Sequence, residues 1–204
     1  IRAAIDPKRA TPSADVQPGI APHESTETAH YSVADKDGNA VSVTFTINGH
    51  FGAKVIAGDT GFFLNNEMDD FATRPGAANQ FGLVQGAKNA IAPGKRPLSS
   101  MSPTIVTRDG RLLMVTGSPG GPRIISTTVE TILNVVDFGM DAAEAVDAPR
   151  IHHQWMPDQI FAEPTALSPD TRAALEAMGH AIADGDPWSA AAVIVAVPDG
   201  DGTG

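Results

Sequence analysis

The chain has 204 residues, 42% hydrophobic and 19% charged, the proportions of an ordinary globular protein with room for one full domain or two small ones. Lys and Arg number 14 against 24 Asp and Glu, a formal net charge of −10, which disfavours a nucleic-acid face and a polybasic membrane anchor, since both need the opposite sign. Cysteine is absent, so disulfides, thiol nucleophiles and thiolate metal sites are excluded, and no apolar run approaches the roughly 20 residues that span a bilayer.

Residues 1–27 are polar and punctuated by Pro7, Pro12, Pro18 and Pro22, with no sustained period, and read as an extended tail or linker. From Thr28 to Ile47 the pattern becomes β. His30 to Ala34 runs into Asp35-Lys36-Asp37-Gly38-Asn39, and Ala40 to Ile47 returns, a hairpin signalled by Asp-Gly between alternating β-branched runs. Residues 48–102 are loop-rich. Thr104–Thr107 and Leu112–Thr116 repeat the hairpin design around Asp109-Gly110. After the Gly-rich turn Gly117 to Pro122, the apolar residues Ile124, Ile125, Val129, Ile132, Leu133 and Val136 predict a helix over 123–136. Two more helices are predicted, Asp141–Asp147, and Pro169–Met178 capped by Ser168 and ended by Gly179. Ala190 to Val197 reads as a buried strand. Hairpins followed by helices predict an α+β fold with helices packed on a sheet core. The chain begins with Ile1 and ends in a turn-like Pro198 to Gly204, so it is expected to be a piece of a longer product.

Several fragments are chemically suggestive and each has a plain alternative. The strand, Gly turn and helix start around Gly117-Ser118-Pro119-Gly120-Gly121 present backbone N–H groups that suit an anion, or form a simple tight turn. No Lys-Ser/Thr follows, so it is not a nucleotide P-loop. Asn65-Asn66-Glu67-Met68-Asp69-Asp70 lacks calcium-loop spacing and reads by itself as a capped, solvated turn. Ser99, Ser100 and Ser102 follow Lys95 and Arg96, the wrong order for a Ser-x-x-Lys nucleophile. His152 and His153 are adjacent, so their rings diverge and cannot share an ion. His23, His30, His50 and His180 are scattered and read as structural.

The order of these fragments says more than any one of them. Thr28-Ala29-His30-Tyr31-Ser32-Val33, the Asp35 to Thr44 hairpin, Asn65 to Phe71, Lys95 to Val106, Thr116 to Gly121 and Ala148 to Trp155 together resemble the γ-glutamyltranspeptidase family. The resemblance runs in order from about Pro18 to the end. It implies an N-terminal nucleophile hydrolase, an αββα sandwich of which this chain holds the small-subunit half. Residues 1–27 would be the tail of the large subunit. Residues 28–204 would be the catalytic small subunit, lacking its C-terminal end.

By that resemblance, the protein is a zymogen that cuts its own backbone between Glu27 and Thr28. Large and small subunits then form a heterodimer. Thr28 becomes both nucleophile and, through its freed α-amine, base. Thr46 hydrogen-bonds Thr28, and the N–H groups of Gly120 and Gly121 form the oxyanion hole. Asn48, Glu67 and Asp70 hold the substrate ammonium, and Ser99 and Ser100 donate to its α-carboxylate beside an Arg of the large subunit. Phe81 belongs to a lid over Pro75 to Gly86. The implied activity is γ-glutamyl transfer and glutathione hydrolysis, with water, amino acids or peptides as acceptors, no cofactor and no metal. Family habit implies a periplasmic or secreted location. Two alternatives stand beside it. One is a cephalosporin (glutaryl) acylase on the same scaffold, which has no need of the Glu67 and Asp70 pair. The other is a non-catalytic binding domain. Ala29 departs from the family, where a second Thr is common.

Overall fold

A computed structural model describes residues 6–12, 28–74, 76–77, 85–155, 157–188 and 190–196. In chain order its elements are β1 (Ala29–Ala34), β2 (Ala40–Phe45), short 3₁₀ turns at Glu67–Asp70 and Ala87–Asn89, β3 (Thr104–Arg108), β4 (Arg111–Gly117), α1 (Arg123–Val136), α2 (Ala142–Asp147), β5 (Ile151–His152), β6 (Ile160–Ala162), α3 (Pro169–Ala177), β7 (Ile182–Asp184) and β8 (Ala192–Val195). The fold is α+β, as expected. Its contacts divide it into two compact units, Ile1–Ser25, Ile47–Ser99 and Pro149–Trp188 in the first, and Thr26–Thr46, Ser100–Ala148 and Ser189–Gly204 in the second.

The second unit is built from the two predicted hairpins. In β1–β2 the pairs run from Ala29↔Phe45 to Ala34↔Ala40. The five-residue connection is held by Asp35, whose carboxylate accepts from the N–H groups of Asp37 and Asn39 and from Asn39 Nδ2, each at 2.8–2.9 Å. Those bonds, the Asn39 amide first, hold the Asp35 carboxyl below its ordinary range. The β3–β4 hairpin closes on Asp109 (φ 52°) and Gly110 (φ 76°), the two left-handed residues that a tight two-residue hairpin turn requires. Strand β8 adds antiparallel to β4, giving the order β3-β4-β8. Its expected extent shrinks to Ala192–Val195, and as an edge strand it is half-buried rather than buried.

The β1–β2 pair packs on β4 and β8, and α1 and α2 pack on the same two strands from the other side. The predicted bounds of α1 hold, but its orientation is the reverse of an apolar-inward helix. Ile124, Thr127, Thr128 and Thr131 are buried, while Ile125, Val129, Leu133 and Val136 form an exposed stripe. Thr131 compensates by donating its hydroxyl to Thr127 O at 2.7 Å. The β1–β2 hairpin is inverted likewise. His30, Ser32, Ser42 and Thr44 are half-buried, whereas Tyr31, Val33, Val41 and Phe45 are exposed. The small α2 carries a full capping box: Asp141 accepts from Glu144 N, and Glu144 accepts from Asp141 N.

The first unit holds the loop-rich stretch and a three-stranded sheet that periodicity does not predict, because its strands are two or three residues long. Strand β5 runs antiparallel to β6, and β6 is joined to a parallel β7 through α3. Ser168 caps α3, and Gly179 (φ 101°) ends it with His180 N bonded to Leu175 O and Gly179 N to Glu176 O, a Schellman stop. Of the expected tail, only residues 6–12 are described. Ala10 N donates to Met178 O at 2.9 Å.

A buried ion pair anchors this unit. Glu163 accepts from Arg150 N (2.9 Å) and Trp188 N (3.0 Å) and faces Arg150 Nη1 at 3.7 Å, with both residues almost fully buried. Truncating one partner leaves the other charge buried and unpaired, which costs about 3–5 kcal/mol. Glu163→Ala is therefore expected to destabilise the protein by that amount in urea unfolding, well beyond the effect of truncating the exposed Asp37.

Candidate active site

Most of the predicted catalytic residues lie in the second unit. Thr28 immediately precedes β1 and Thr46 immediately follows β2. The last pair of the hairpin is Ala29↔Phe45, so the two threonines flank its open end, one residue beyond the ladder. Side chains alternate along a strand, so Thr28 shares its face with His30 and Ser32. Both threonines are half-buried.

Strand β4 carries the fully buried Thr116, ends at Gly117 and runs through the buried Ser118 into Gly120 and Gly121. Gly120 (φ 130°) and Gly121 (φ 56°) are consecutive left-handed residues, a conformation that glycine adopts without steric cost. Their carbonyls accept from Arg123 N and Ile124 N, each at 3.1 Å, so they form the first turn into α1. Neither of their own N–H groups donates to a protein group among the described residues. The turn thus presents two backbone donors at a helix start, the geometry that suits an anion. Ser100 Oγ donates to Gly121 O at 3.1 Å and so braces the turn from behind. To donate to a carboxylate instead, that hydroxyl must rotate away.

The remaining predicted residues lie in the first unit. Asn48 is buried in a left-handed conformation (φ 73°), and Asn66 holds it there. Asn66 N donates to Ile47 O (3.2 Å), Asn66 Oδ1 accepts from Gly49 N (2.8 Å), and Asn66 O accepts from Asn48 Nδ2 (3.2 Å). The last bond turns the Asn48 amide so that Oδ1 is its opposite end. Asn65 Oδ1 accepts from Glu67 N at 3.0 Å and opens the 3₁₀ turn Glu67–Asp70. Three residues per turn bring side chains i and i+3 into line, so Glu67 and Asp70 meet and share a hydrogen bond. Asn89 Nδ2 donates to Asp70 O (2.6 Å), and Asn89 Oδ1 accepts from Leu98 N (3.0 Å), next to the exposed Ser99.

Burial first, then the neighbouring Asp70 carboxyl, pushes Glu67 up to about 7. Burial also raises Asp70. Glu67 Oε1 is buried with no hydrogen-bond partner among the described residues. Two carboxyls in this state disfavour a second negative charge and favour a cation between them.

His152 and His153 diverge, as their adjacency requires. The buried His152 lies 2.7 Å from Gln154 Oε1 and stacks on Phe161, whereas His153 Nε2 faces Asp158 at 3.4 Å. Glu27 and Phe81 lie outside the described residues. No group of three or more potential metal ligands occurs among the described residues. Sequence reasoning passed over Asn89, gave Asn66 no role of its own, and read His30 as structural, in line with the contacts at both its ring nitrogens. Asn66 sits inside a quoted motif, and a paired Asn-Asn before an acidic turn is the signal that could have found it.

A profile of the Gamma-glutamyltranspeptidase family matches residues 1–203. The chain belongs to that family. It is 57% identical over 199 residues to a glutathione hydrolase proenzyme of Pseudomonas sp. (strain A14), covering 97% of this chain and 35% of that protein. Over 198 residues it is 52% identical to the glutathione hydrolase proenzyme of Escherichia coli (strain K12), covering 97% of this chain and 34% of that protein. The chain thus spans about a third of the length of these curated relatives. Among solved structures it is similar to the T380A mutant of Helicobacter pylori gamma-glutamyltranspeptidase, at 48% identity and a TM-score of 0.80, over 85% of this chain and 93% of that one. The α+β arrangement is accordingly the N-terminal nucleophile hydrolase fold of the γ-glutamyltranspeptidases.

A carboxyl raised by burial contributes stability at acid pH that is lost as the pH rises, because the unfolded chain ionises first. For Glu67 the window runs from its ordinary 4.5 to about 7. Stability is expected to fall across that window in the wild type and less so in Glu67→Gln, as read by chemical denaturation at pH 4.5 and pH 8.

Proposed function

We propose that the full-length protein is a self-processing γ-glutamyl transferase and glutathione hydrolase that works through a Thr28 acyl-enzyme. The observation that carries this reading is that Thr28 and Thr46 flank the open end of the β1–β2 hairpin, one residue beyond the Ala29↔Phe45 pair. Self-cleavage between Glu27 and Thr28 would free an α-amine on the residue that bears the nucleophile. An α-amine has an ordinary pKa of about 7.7–8.0, so a neutral fraction is present near pH 7 to take the hydroxyl proton. One residue then supplies nucleophile and base.

The Thr28 oxygen attacks the γ-carbonyl carbon, and the charge that develops on the carbonyl oxygen is met by the N–H groups of Gly120 and Gly121. Collapse expels the amine, which takes the proton held by the α-amine, and leaves a γ-glutamyl ester on Thr28. Water resolves the ester to glutamate, or an amino-acid or peptide amine resolves it to a new γ-glutamyl amide.

The donor's glutamyl end is a zwitterion. Its ammonium suits Asn48 Oδ1 and the Glu67–Asp70 pair, which gain a cation that their burial calls for. Its carboxylate suits Ser99 and Ser100, together with an Arg from the large subunit. The acid pair favours this donor over a glutaryl amide, which lacks the ammonium. A large subunit as partner is supported by the relatives' length and by the exposed apolar residues on β1–β2 and on α1. Export to the periplasm or outside the cell is part of the same proposal.

In the full-length protein, Thr28→Ala is expected to abolish both splitting at Glu27–Thr28 and turnover. Mass spectrometry of the purified product checks this, and an intact wild-type chain, or a cut elsewhere, refutes the assignment. Asp70→Ala is expected to raise KM for γ-glutamyl anilides by about 10²-fold or more, the scale for leaving a charged partner unpaired, with kcat less affected. Glutaryl anilides should be poor substrates of the wild type.

A further inference from the structure

Gly117 ends β4 and leads into the Ser118–Gly121 turn. A Cβ placed on it would lie 2.2 Å from His30 Cε1, 2.5 Å from Nδ1 and 2.8 Å from Nε2. Contacts that short are not tolerated, so the imidazole occupies the space that a side chain at 117 would need. Gly117 is not among the glycines of positive φ. Its own backbone therefore does not demand glycine; the ring does.

The ring is held at both nitrogens. Nδ1 is 2.7 Å from Thr44 Oγ1 across the hairpin, and Nε2 is 3.2 Å from Ser32 Oγ on the same strand. Ser32 Oγ in turn donates to Ala192 O at 3.5 Å, and burial lowers the ring's pKa. Next to it, Ser42 Oγ donates to Thr116 O at 2.9 Å, tying β2 to the residue before Gly117.

We propose that His30 is a positioning residue for the oxyanion turn: its clamped ring is the stop that seats Gly117, and through β4 it sets where Gly120 and Gly121 meet the face that bears Thr28. This rests on the roles given above to Thr28, Gly120 and Gly121. His30 touches neither substrate nor reacting atoms in this role. It acts by fixing the distance between two strands, and a shift of about 1 Å in such a part can cost 10²-fold in rate.

The test uses the full-length, matured enzyme with Gly117→Ala, His30→Ala, the double variant and, in parallel, Thr28→Ala. Gly117→Ala is expected to lower kcat by about 10²-fold with donor KM little changed, because the added methyl pushes the turn off the ring. The double variant is expected to recover at least about tenfold in kcat over Gly117→Ala, since the methyl then fills the space left by the ring. A histidine that only packs would alter melting temperature and leave this kcat pattern absent. A double variant no better than Gly117→Ala, or a loss confined to KM, overturns the proposal. If Gly117→Ala does not mature, His30→Ala alone decides it: a fall in kcat at constant KM supports the role, and unchanged kcat overturns it. Activity that survives Thr28→Ala defeats the functional reading itself. Loss of activity in Thr28→Ala without rescue in the double variant defeats only the role of His30.

Discussion

The arrangement of the second unit depends on a polar seam between two sheets. His30, Ser32, Ser42 and Thr44 point inward from β1–β2, and Gly117 and the backbone of Thr116 meet them from β4. Burying hydroxyls and an imidazole costs free energy unless each finds a partner. Here Ser42 bonds Thr116 O, Ser32 bonds Ala192 O, and His30 lies between Thr44 and Ser32. Small residues and directed bonds let the strands approach more closely than interdigitated leucines would.

The same seam accounts for the inverted surfaces. If the inner face of a hairpin is polar, alternation sends its apolar residues outward, and Tyr31, Val33, Val41 and Phe45 are exposed as a result. Helix α1 repeats the logic with threonines inward and Ile125, Val129, Leu133 and Val136 outward. A chain that exposes an apolar sheet face and an apolar helix stripe expects further layers on each. The family's larger proenzymes, of which this chain spans about a third, have the residues to supply them.

Elements with strong local signals were legible from residues alone. The Asp109-Gly110 turn needs two left-handed residues and names its own hairpin. Helix α1 has fourteen residues of regular spacing. Asp141 and Ser168 announce helix starts through bonds made within three residues. Strands β5, β6 and β7 were not legible, because two or three residues carry no period and their pairing is decided by partners far along the chain. The direction in which α1 faces was misleading for the same reason. Periodicity gives a stripe, and only the tertiary neighbours decide whether that stripe is covered. In the site, individual residues were legible only through the order of several motifs. The Asn66 clamp was invisible, and His30 was legible only as a structural residue, since both work through backbone groups and spaces that no one-dimensional pattern encodes.

The Glu67–Asp70 pair shows how a locally unfavourable feature can be informative. Nothing in a turn of four residues requires two carboxyls in line, half-buried, with one oxygen unsatisfied. A purely structural turn would gain by replacing either with an amide, because burial and the neighbouring carboxyl both disfavour the second charge. Asn65 and Asn89 nevertheless commit side-chain bonds to holding this turn in shape. A rigid frame around a pair that is uncomfortable by itself makes physical sense when a cationic group completes it.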